Sequence, residues 1–325
     1  MNWHNDDETS TPAAGEQPSS DFEHALANRL SFEFLREQRR ARRWNVFFKF
    51  LAFAYVSVFI VLSLPPDTRS LPFGDDKITA LVDVQGVISH GSEASADAIV
   101  SGLRKAFKNE STAGVILRIN SPGGSPVQSG YISDEIYRLK KKHPDIPVYA
   151  VIEDLCASGA YYVAAAADEI YADKASMVGS IGVRMGGFGF VDTLEKLGIE
   201  RRLLTAGENK GFLDPFSPLE QPHVDHVRGM LGEIHEQFVN TVLKGRRDRL
   251  ADSPDLFSGL VWTGERALEL GLVDAFGSSG YVAREIIGAE DVVDFTPRDY
   301  SLEGLLKRTG TSILSRFAVE RPFSW

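Results

Sequence analysis

A serine and a lysine, Ser158 and Lys210, lie in surroundings that suit a nucleophile and its general base. Ser158 follows an apolar run, residues 148–152, and precedes an alanine-rich stretch, residues 160–168. This pattern predicts a strand that turns sharply into a helix. Such a turn presents its serine outward, beside the free amides of the helix N-terminus.

Lys210 follows Ser158 by 52 residues (210 − 158), in the segment GENKGF of residues 207–212. A lysine amine has an ordinary pKa of about 10.4 and is a poor base at neutral pH unless it is desolvated. We expect the nearby apolar side chains of Phe212, Leu213 and Phe216 to desolvate it.

A glycine-rich turn precedes both residues. Residues 114–119 read as a buried strand, Gly123 and Gly124 follow Pro122, and residues 127–142 have helical character. Adjacent glycines let the backbone turn with positive φ and approach a ligand closely. Their amides could bind a phosphate or the oxyanion of a tetrahedral intermediate. The order of strands and helices predicts that this turn and the Ser158 turn lie at the same end of neighbouring parallel strands.

Together these stretches resemble the serine peptidases of the signal peptide peptidase A type, peptidase family S49. The resemblance spans roughly residues 76–290 and has one set of motifs, as in the short form of the family. The matching segments, in chain order, are INSPGG (119–124), ASGAYY (157–162), ADKASMVGSIGV (172–183), GENK (207–210) and WTGERALELGLVD (262–274).

The resemblance implies a role for each matching residue. Ser158 would be the nucleophile, Lys210 the general base and Ser180 a hydroxyl that orients the lysine. The backbone amides of Gly159 and Gly124 would form the oxyanion hole, with Gly123 as the alternative to Gly124.

The resemblance also implies a fold, substrates and an assembly. The fold would be α/β, a repeated β-β-α spiral of the ClpP/crotonase type with a mostly parallel sheet, preceded by one transmembrane helix. The substrates would be remnant signal peptides and other apolar peptides. The chains would form a homo-oligomeric ring in which serine and lysine come from adjacent protomers.

The N-terminal region predicts a membrane anchor. Residues 1–43 form a leader that is acidic and free of Lys and Arg over residues 1–28, and five arginines follow between residues 36 and 43. Residues 44–64 are apolar enough to span a bilayer, and the preceding arginines predict a cytoplasmic N-terminus. No cleavage site of the Ala-x-Ala type follows, so we expect an uncleaved anchor in a bacterial inner membrane with a periplasmic catalytic domain.

The remaining organisation is a linker, a peptidase domain and a tail. Residues 65–77 read as the linker and residues 78–290 as the peptidase domain, with strands and helices alternating to about residue 205. Residues 219–243 predict a long amphipathic helix. Residues 291–325 form a tail with an amphipathic segment.

Composition argues against several other functions. A net charge of −10 disfavours nucleic acid as a partner, and no Walker-type loop is present. We expect no metal and no cofactor, although His223, Asp225 and His226 could be imagined as zinc ligands. His223, His226 and His235 are the alternative bases, and the lone Cys156 is the alternative nucleophile.

Two other functions remain open at this stage. A crotonase-type acyl-CoA enzyme would need neither Lys210 nor a membrane anchor. A non-catalytic membrane scaffold would use the same groove to bind peptide without cleaving it.

Overall fold

The computed structural model describes residues 42–58 and 77–297, which fall into two units. In the first unit residues 42–58 form a helix, α1. Of the predicted anchor, residues 44–58 lie in this helix and residues 59–64 lie outside the described residues. No helix within 42–58 or 77–297 is long and apolar enough to cross a membrane. The leader before residue 42, most of the linker and the tail after residue 297 also lie outside the described residues.

The second unit is built on an eight-stranded sheet. Its strands are β1 (Ile78–Gln85), β2 (Thr112–Ser121), β3 (Val148–Ala157), β4 (Glu169–Ala172), β5 (Met177–Gly179), β6 (Val261–Thr263), β7 (Ala275–Phe276) and β8 (Val292–Asp294). The α-helices that alternate with them are α2 (Ala96–Lys108), α3 (Pro126–Lys142), α4 (Gly159–Ala164), α5 (Val191–Lys196), α6 (Gln221–Arg246), α7 (Gly264–Glu269) and α8 (Ser279–Tyr281). A 3₁₀ turn (Arg247–Arg249) follows α6, and a π-helical turn (Val282–Ile287) continues α8.

The sheet is mostly parallel, with the strand order β6-β5-β3-β2-β1-β8. β3 pairs along its first half with β4 and along its second half with β5, so the sheet divides at β3. The pair β5–β6 is antiparallel, whereas the other pairs are parallel. The predicted α/β class with a mostly parallel sheet is therefore confirmed.

The central strands are apolar because helices cover them. β1, β2 and β3 carry long buried runs, as expected for parallel strands with both faces covered. Serine side chains cap the first two of these helices: Ser95 caps α2 through the amide of Ala98, and Ser125 caps α3 directly before Pro126. The helix predicted over residues 127–142 is present as α3.

The alternation of strands and helices, which was predicted to continue to about residue 205, ends earlier, after β5. Between Ser180 and Glu220 the only element is α5, and none of its residues is buried. Three glycines, at positions 186, 187 and 189, break the local periodicity, and most apolar residues of this segment remain exposed. We call residues 182–220 the exposed arm.

The long helix is also less buried than its sequence predicts. α6 runs from Gln221 to Arg246, but Val227, Phe238, Val242 and Arg246 are its only buried residues. Four other apolar side chains of the predicted face are half-buried: Met230, Leu231, Ile234 and Val239.

Candidate active site

Ser158 has an uncommon backbone conformation at the junction of β3 and α4. Its φ is 54° and its ψ is −126°, a region that non-glycine residues rarely occupy and that typically costs about 1–3 kcal/mol. Two hydrogen bonds hold it: its amide donates to the carbonyl oxygen of Gly179 (2.8 Å), and its carbonyl oxygen accepts from the amide of Tyr162 (3.1 Å). The side chain does not cap α4, so the hydroxyl is not used to satisfy the helix. The simplest structural role for this serine, a helix cap, is therefore absent.

The glycine turn is held in place by Ser121, to which the sequence analysis assigned no role. The Ser121 hydroxyl donates to the carbonyl oxygen of Gly86 (2.6 Å) and accepts from the amide of Gly123 (3.1 Å). A serine directly before a Pro-Gly-Gly turn was the sequence signal that could have identified it. Ile88 adds a short bridge, because its amide donates to the carbonyl oxygen of Gly123 (2.8 Å).

The glycine turn and the serine turn lie directly against each other. A Cβ atom on Gly123 would lie 2.5 Å from the amide nitrogen of Gly159 and 3.0 Å from Cβ of Ser158. A Cβ atom on Gly159 would lie 3.2 Å from the amide nitrogen of Gly124. Only glycine allows this approach, since real Cβ atoms rarely come so close to other atoms. The predicted placement of both turns at one end of β2 and β3 is thus realised.

Gly123 and Gly124 differ in whether their backbone amides donate a hydrogen bond within the protein. The amide of Gly123 donates to Ser121, whereas among the described residues the amides of Gly124 and Gly159 donate to no protein group. Two neighbouring free amides beside a serine can together bind a negatively charged oxygen.

Ser180 lies beside Ser158 at the end of the adjacent strand. Ala157 of β3 pairs with Gly179 of β5, and each serine is the next residue in its chain segment. Ser180 also has a positive φ, 50°, and its amide donates to the carbonyl oxygen of Leu260 (2.7 Å).

Lys210 lies in the exposed arm. Its amide closes a turn with the carbonyl oxygen of Gly207 (3.1 Å), and residues 201–210 are all exposed. Within the described part of the chain, no hydrogen bond or ion pair joins Lys210 to Ser158 or Ser180. The structure therefore brings the serines and glycines together, whereas Lys210 lies on the exposed arm without a hydrogen bond to them.

The predicted apolar wall around Lys210 does not form within the single chain. Phe216 stacks on Phe190 at 5.5 Å between ring centroids, and Phe212 lies edge-on to His223 and His226 at 6.2 and 6.3 Å. Both phenylalanines remain more than a third exposed. The reason is that the arm has few contacts with the sheet, so its side chains pack on one another and on the start of α6.

Among the described residues no hydrogen bond joins the alternative bases to Ser158. His223 Nε2 lies 3.3 Å from Oδ1 of Asn209, and His235 Nε2 lies 3.2 Å from the carbonyl oxygen of Ile181. Cys156 is completely buried, and burial raises the pKa of its thiol far above the ordinary value, which keeps it protonated. Among the described residues no group of three or more His, Cys, Asp or Glu side chains could hold a metal ion.

Two buried polar atoms near the site have no hydrogen-bond partner among the described residues, Ser129 Oγ and Trp262 Nε1. A Cβ atom on Gly159 would lie 2.5 Å from Ser129 Oγ, and one on Gly179 would lie 3.7 Å from Trp262 Nε1. Neither residue could be predicted from the sequence, because local sequence does not reveal which side chains lose contact with water.

The chain is similar in sequence to known peptidases. Residues 140–292 match the family model described as Peptidase family S49. A protein of Methanocaldococcus jannaschii that carries a protease name is 31% identical over 256 residues, which are 76% of this chain and 81% of the relative. Protease 4 of Haemophilus influenzae is 34% identical over 232 residues, 69% of this chain and 37% of the relative. The chain therefore belongs to peptidase family S49.

Another relative has a different name. The Na(+)/H(+) antiporter NhaA of Brucella abortus is 46% identical over 186 residues, which are 57% of this chain. The chain spans only a quarter of the length of that relative, 25%.

Proposed function

We propose that the protein is a serine endopeptidase in which Ser158 is the nucleophile and Lys210 the general base. The observation that carries the proposal is the strained Ser158, which lies beside the two free amides of Gly124 and Gly159. A hydroxyl next to two preorganised donors is the arrangement that acyl transfer requires. Membership of a peptidase family supports the same reaction class.

In this mechanism the Ser158 hydroxyl oxygen attacks the scissile carbonyl carbon, and its proton moves to the amine of Lys210. The carbonyl oxygen becomes an oxyanion, which accepts hydrogen bonds from the amides of Gly124 and Gly159. As the intermediate collapses, the leaving amine takes the proton from Lys210 and an acyl-enzyme remains. Lys210 then activates a water molecule that hydrolyses the ester. Ser180 is the hydroxyl that orients the lysine.

The lysine of each site would come from a neighbouring subunit in a homo-oligomeric ring. Support comes from the exposed arm, which carries Lys210 and many unpacked apolar side chains. Phe188 is 82% exposed, Leu204 96% and Leu219 69%. Large exposed apolar surfaces of this kind mark interaction sites. A neighbouring protomer would supply the desolvation that the single chain does not give Lys210.

The proposed location is the periplasmic face of a bacterial inner membrane, with a ClpP/crotonase-type catalytic domain behind a single anchor at residues 44–64. The arginines before residue 44 and the helical conformation of residues 42–58 support this topology. Remnant signal peptides and other apolar peptides are the proposed substrates, without metal or cofactor.

Labelling of the full-length protein with a fluorophosphonate tests the proposal, because the probe reacts only with an activated serine. We expect one labelled peptide, containing Ser158, and no label in Ser158→Ala. Ser180→Ala is the matched control and should still be labelled. An unlabelled protein that binds apolar peptides without cleaving them would be the membrane scaffold. Hydrolysis of an acyl-CoA thioester without peptide cleavage would indicate the crotonase-type enzyme.

A further inference from the structure

A cationic cavity lies between the last turns of α2 and α3, away from the serine and glycine turns. It has a volume of about 510 Å³. α3 begins directly after the Gly124 turn and its 17 residues span about 25 Å, so the two sites lie near opposite ends of this helix. The charged and aromatic side chains that line it include Arg104, Lys108, Arg138, Lys142 and His143.

A buried carboxylate fixes two of the cations. Glu135 accepts hydrogen bonds from Arg104 Nε (2.7 Å), Arg138 Nε (2.7 Å) and Arg138 Nη2 (2.6 Å). The Glu135 side chain is only 8% exposed, whereas the two arginines are 60% and 53% exposed. Hydrogen bonds from Arg138 and Arg104 hold the pKa of Glu135 at about 2, so it remains ionised. Because each guanidinium has five N–H donors, donors not used on Glu135 remain beside the cavity.

The cavity keeps an excess of positive charge. Arg104, Lys108, Arg138 and Lys142 contribute +4, and Glu110 on the rim and Glu135 contribute −2, which leaves +2 before any protonation of His143. The whole chain has a net charge of −10. Neither Lys108 nor Lys142 forms an ion pair with another described residue.

One carbonyl oxygen at the end of each helix is satisfied without these cations. Basic residues are common at helix C-termini because they complement exposed carbonyl groups. Here the Ala106 carbonyl oxygen accepts from Thr112 Oγ1 (2.8 Å), and the Leu139 carbonyl oxygen accepts from the His143 amide (2.8 Å).

The cavity also has an apolar part, formed by Phe107, Leu139 and Ile146. Phe107 and Leu139 are almost fully buried, and the His143 ring lies 5.6 Å from that of Phe107. Arginines with several free donors suit the oxygen atoms of a phosphate group. We propose that this cavity binds a phosphate group carried on an apolar or small organic moiety. This proposal is independent of the proposed peptidase activity.

Titration calorimetry on the full-length protein in neutral detergent tests the proposal. The two probes are inorganic phosphate and dihexanoyl phosphatidylglycerol, with the zwitterionic dihexanoyl phosphatidylcholine as the control lipid. Saturable binding of phosphatidylglycerol at least 10-fold tighter than phosphate would identify a lipid headgroup as the source. Equal binding of both would identify a free phosphate or a soluble ester. Saturable binding of neither probe would overturn the proposal.

Variants distinguish specific binding in the cavity from non-specific electrostatic attraction of the probe to the protein. Lys108→Gln with Lys142→Gln removes two exposed cations that carry no ion pair, and it should weaken binding at least 10-fold without affecting folding. The charge-matched control, Lys174→Gln with Lys196→Gln, lies outside the cavity and should change the affinity less than 2-fold. Equal losses in both double variants would contradict the proposal.

The Glu135→Gln variant distinguishes most clearly between a preorganised site and general electrostatic attraction. It adds one positive charge but removes the anchor of Arg104 and Arg138. General electrostatic attraction predicts tighter phosphate binding in this variant, whereas a preorganised site predicts binding at least 3-fold weaker. Thermal unfolding of the same variant shows whether it is folded, and the lysine double variant decides the proposal if it is not.

Discussion

Ser158 and Ser180 occupy equivalent positions on two adjacent parallel strands. Each follows one residue after a paired strand end, Ala157 or Gly179, and each has a left-handed φ, 54° and 50°. The Ser158 amide donates to the Gly179 carbonyl oxygen, so the strand that ends at Ser180 also holds the backbone of Ser158. The positions of the two hydroxyl-bearing residues are therefore coupled through the sheet.

Removal of the proposed base should abolish activity. Lys210→Ala and Lys210→Arg should each lower kcat/KM by about 100- to 10,000-fold, since arginine stays protonated and cannot accept the serine proton. Steady-state cleavage of an apolar peptide measures both losses. Ser180→Ala should have a smaller effect, and near-native activity of Lys210→Ala would rule out the dyad.

Mixed subunits should recover activity. If serine and lysine come from adjacent protomers, Ser158→Ala and Lys210→Ala proteins should regain activity when they are dissociated, mixed and reassembled. Random equal mixing gives an intact pair at about one quarter of the interfaces, which sets the upper limit of recovery. Native mass spectrometry confirms the mixing. Mixed rings without activity would mean that one chain completes the dyad.

The contact between His223 and Asn209 should influence catalysis through Lys210. His223 Nε2 lies 3.3 Å from Asn209 Oδ1, and this bond ties the exposed turn that carries the lysine to the first turn of α6. His223→Leu should lower kcat by about 3- to 10-fold at unchanged thermal stability, because the lysine is less well oriented. His223→Gln retains an N–H donor and should restore most of the rate.

His226→Leu is the matched control for this prediction. Its ring also contacts Phe212, but no hydrogen bond joins it to Asn209. An equal loss of rate in His226→Leu would show that ring packing, and not the hydrogen bond, supports the lysine.

The buried Arg246–Asp274 pair should be needed for stability. Arg246 is 1% exposed and bonds both the Asp274 carboxylate (2.7 and 2.9 Å) and the Gly271 carbonyl oxygen. Arg246→Met should lower the free energy of unfolding by about 2–3 kcal/mol, because it removes the main partner of a partly buried carboxylate that keeps its bonds to Arg249 and the Ile170 amide. Chemical denaturation measures this loss. Arg249→Met, which removes a more exposed partner of the same carboxylate, should cost much less.

The contribution of the Arg246–Asp274 pair to the free energy of unfolding should depend on pH. Burial opposes ionisation of Asp274, but hydrogen bonds and charge from Arg246 outweigh it and hold the pKa of this carboxyl below its ordinary value. A depressed pKa in the folded state adds stability above the unfolded pKa, and this stability is lost as the pH falls through the folded value. The stability difference between the native protein and Arg246→Met should therefore be full at pH 7 and decrease below about pH 4. A difference that stays constant to pH 2 would contradict this account.

The proposed topology can be tested with reporters. A reporter fused after residue 75 should behave as exported and one fused before residue 36 as cytoplasmic, because the intervening arginines favour the cytoplasmic side. Neutral replacements of Arg39, Arg40, Arg42 and Arg43 should weaken this orientation. A mature protein that begins near Pro65 would show that the apolar segment is a cleaved signal.

The local sequence determined the elements that surround Ser158. Apolar runs specify β1, β2 and β3, and the Gly-Gly and serine turns follow β2 and β3 directly, so their common edge of the sheet could be predicted. These features depend on residues close together in the chain, whose backbone preferences and periodicity are visible in the sequence. The resemblance to the family rested on the same local segments.

Only the tertiary structure decided how distant residues meet. In the folded chain the amide of Gly123 donates a hydrogen bond to Ser121, whereas the amide of Gly124 has no such partner. Two adjacent glycines look alike in the sequence, so this difference could not be predicted from it. The tertiary structure also left Lys210 on the exposed arm, although the apolar residues Phe212, Leu213 and Phe216 follow it closely in sequence. Packing and solvent exposure depend on contacts between segments far apart in the chain, which hydrophobic periodicity does not specify. The cationic cavity between α2 and α3 arises in the same way, because Glu135 and Arg104 are brought together by the packing of two helices.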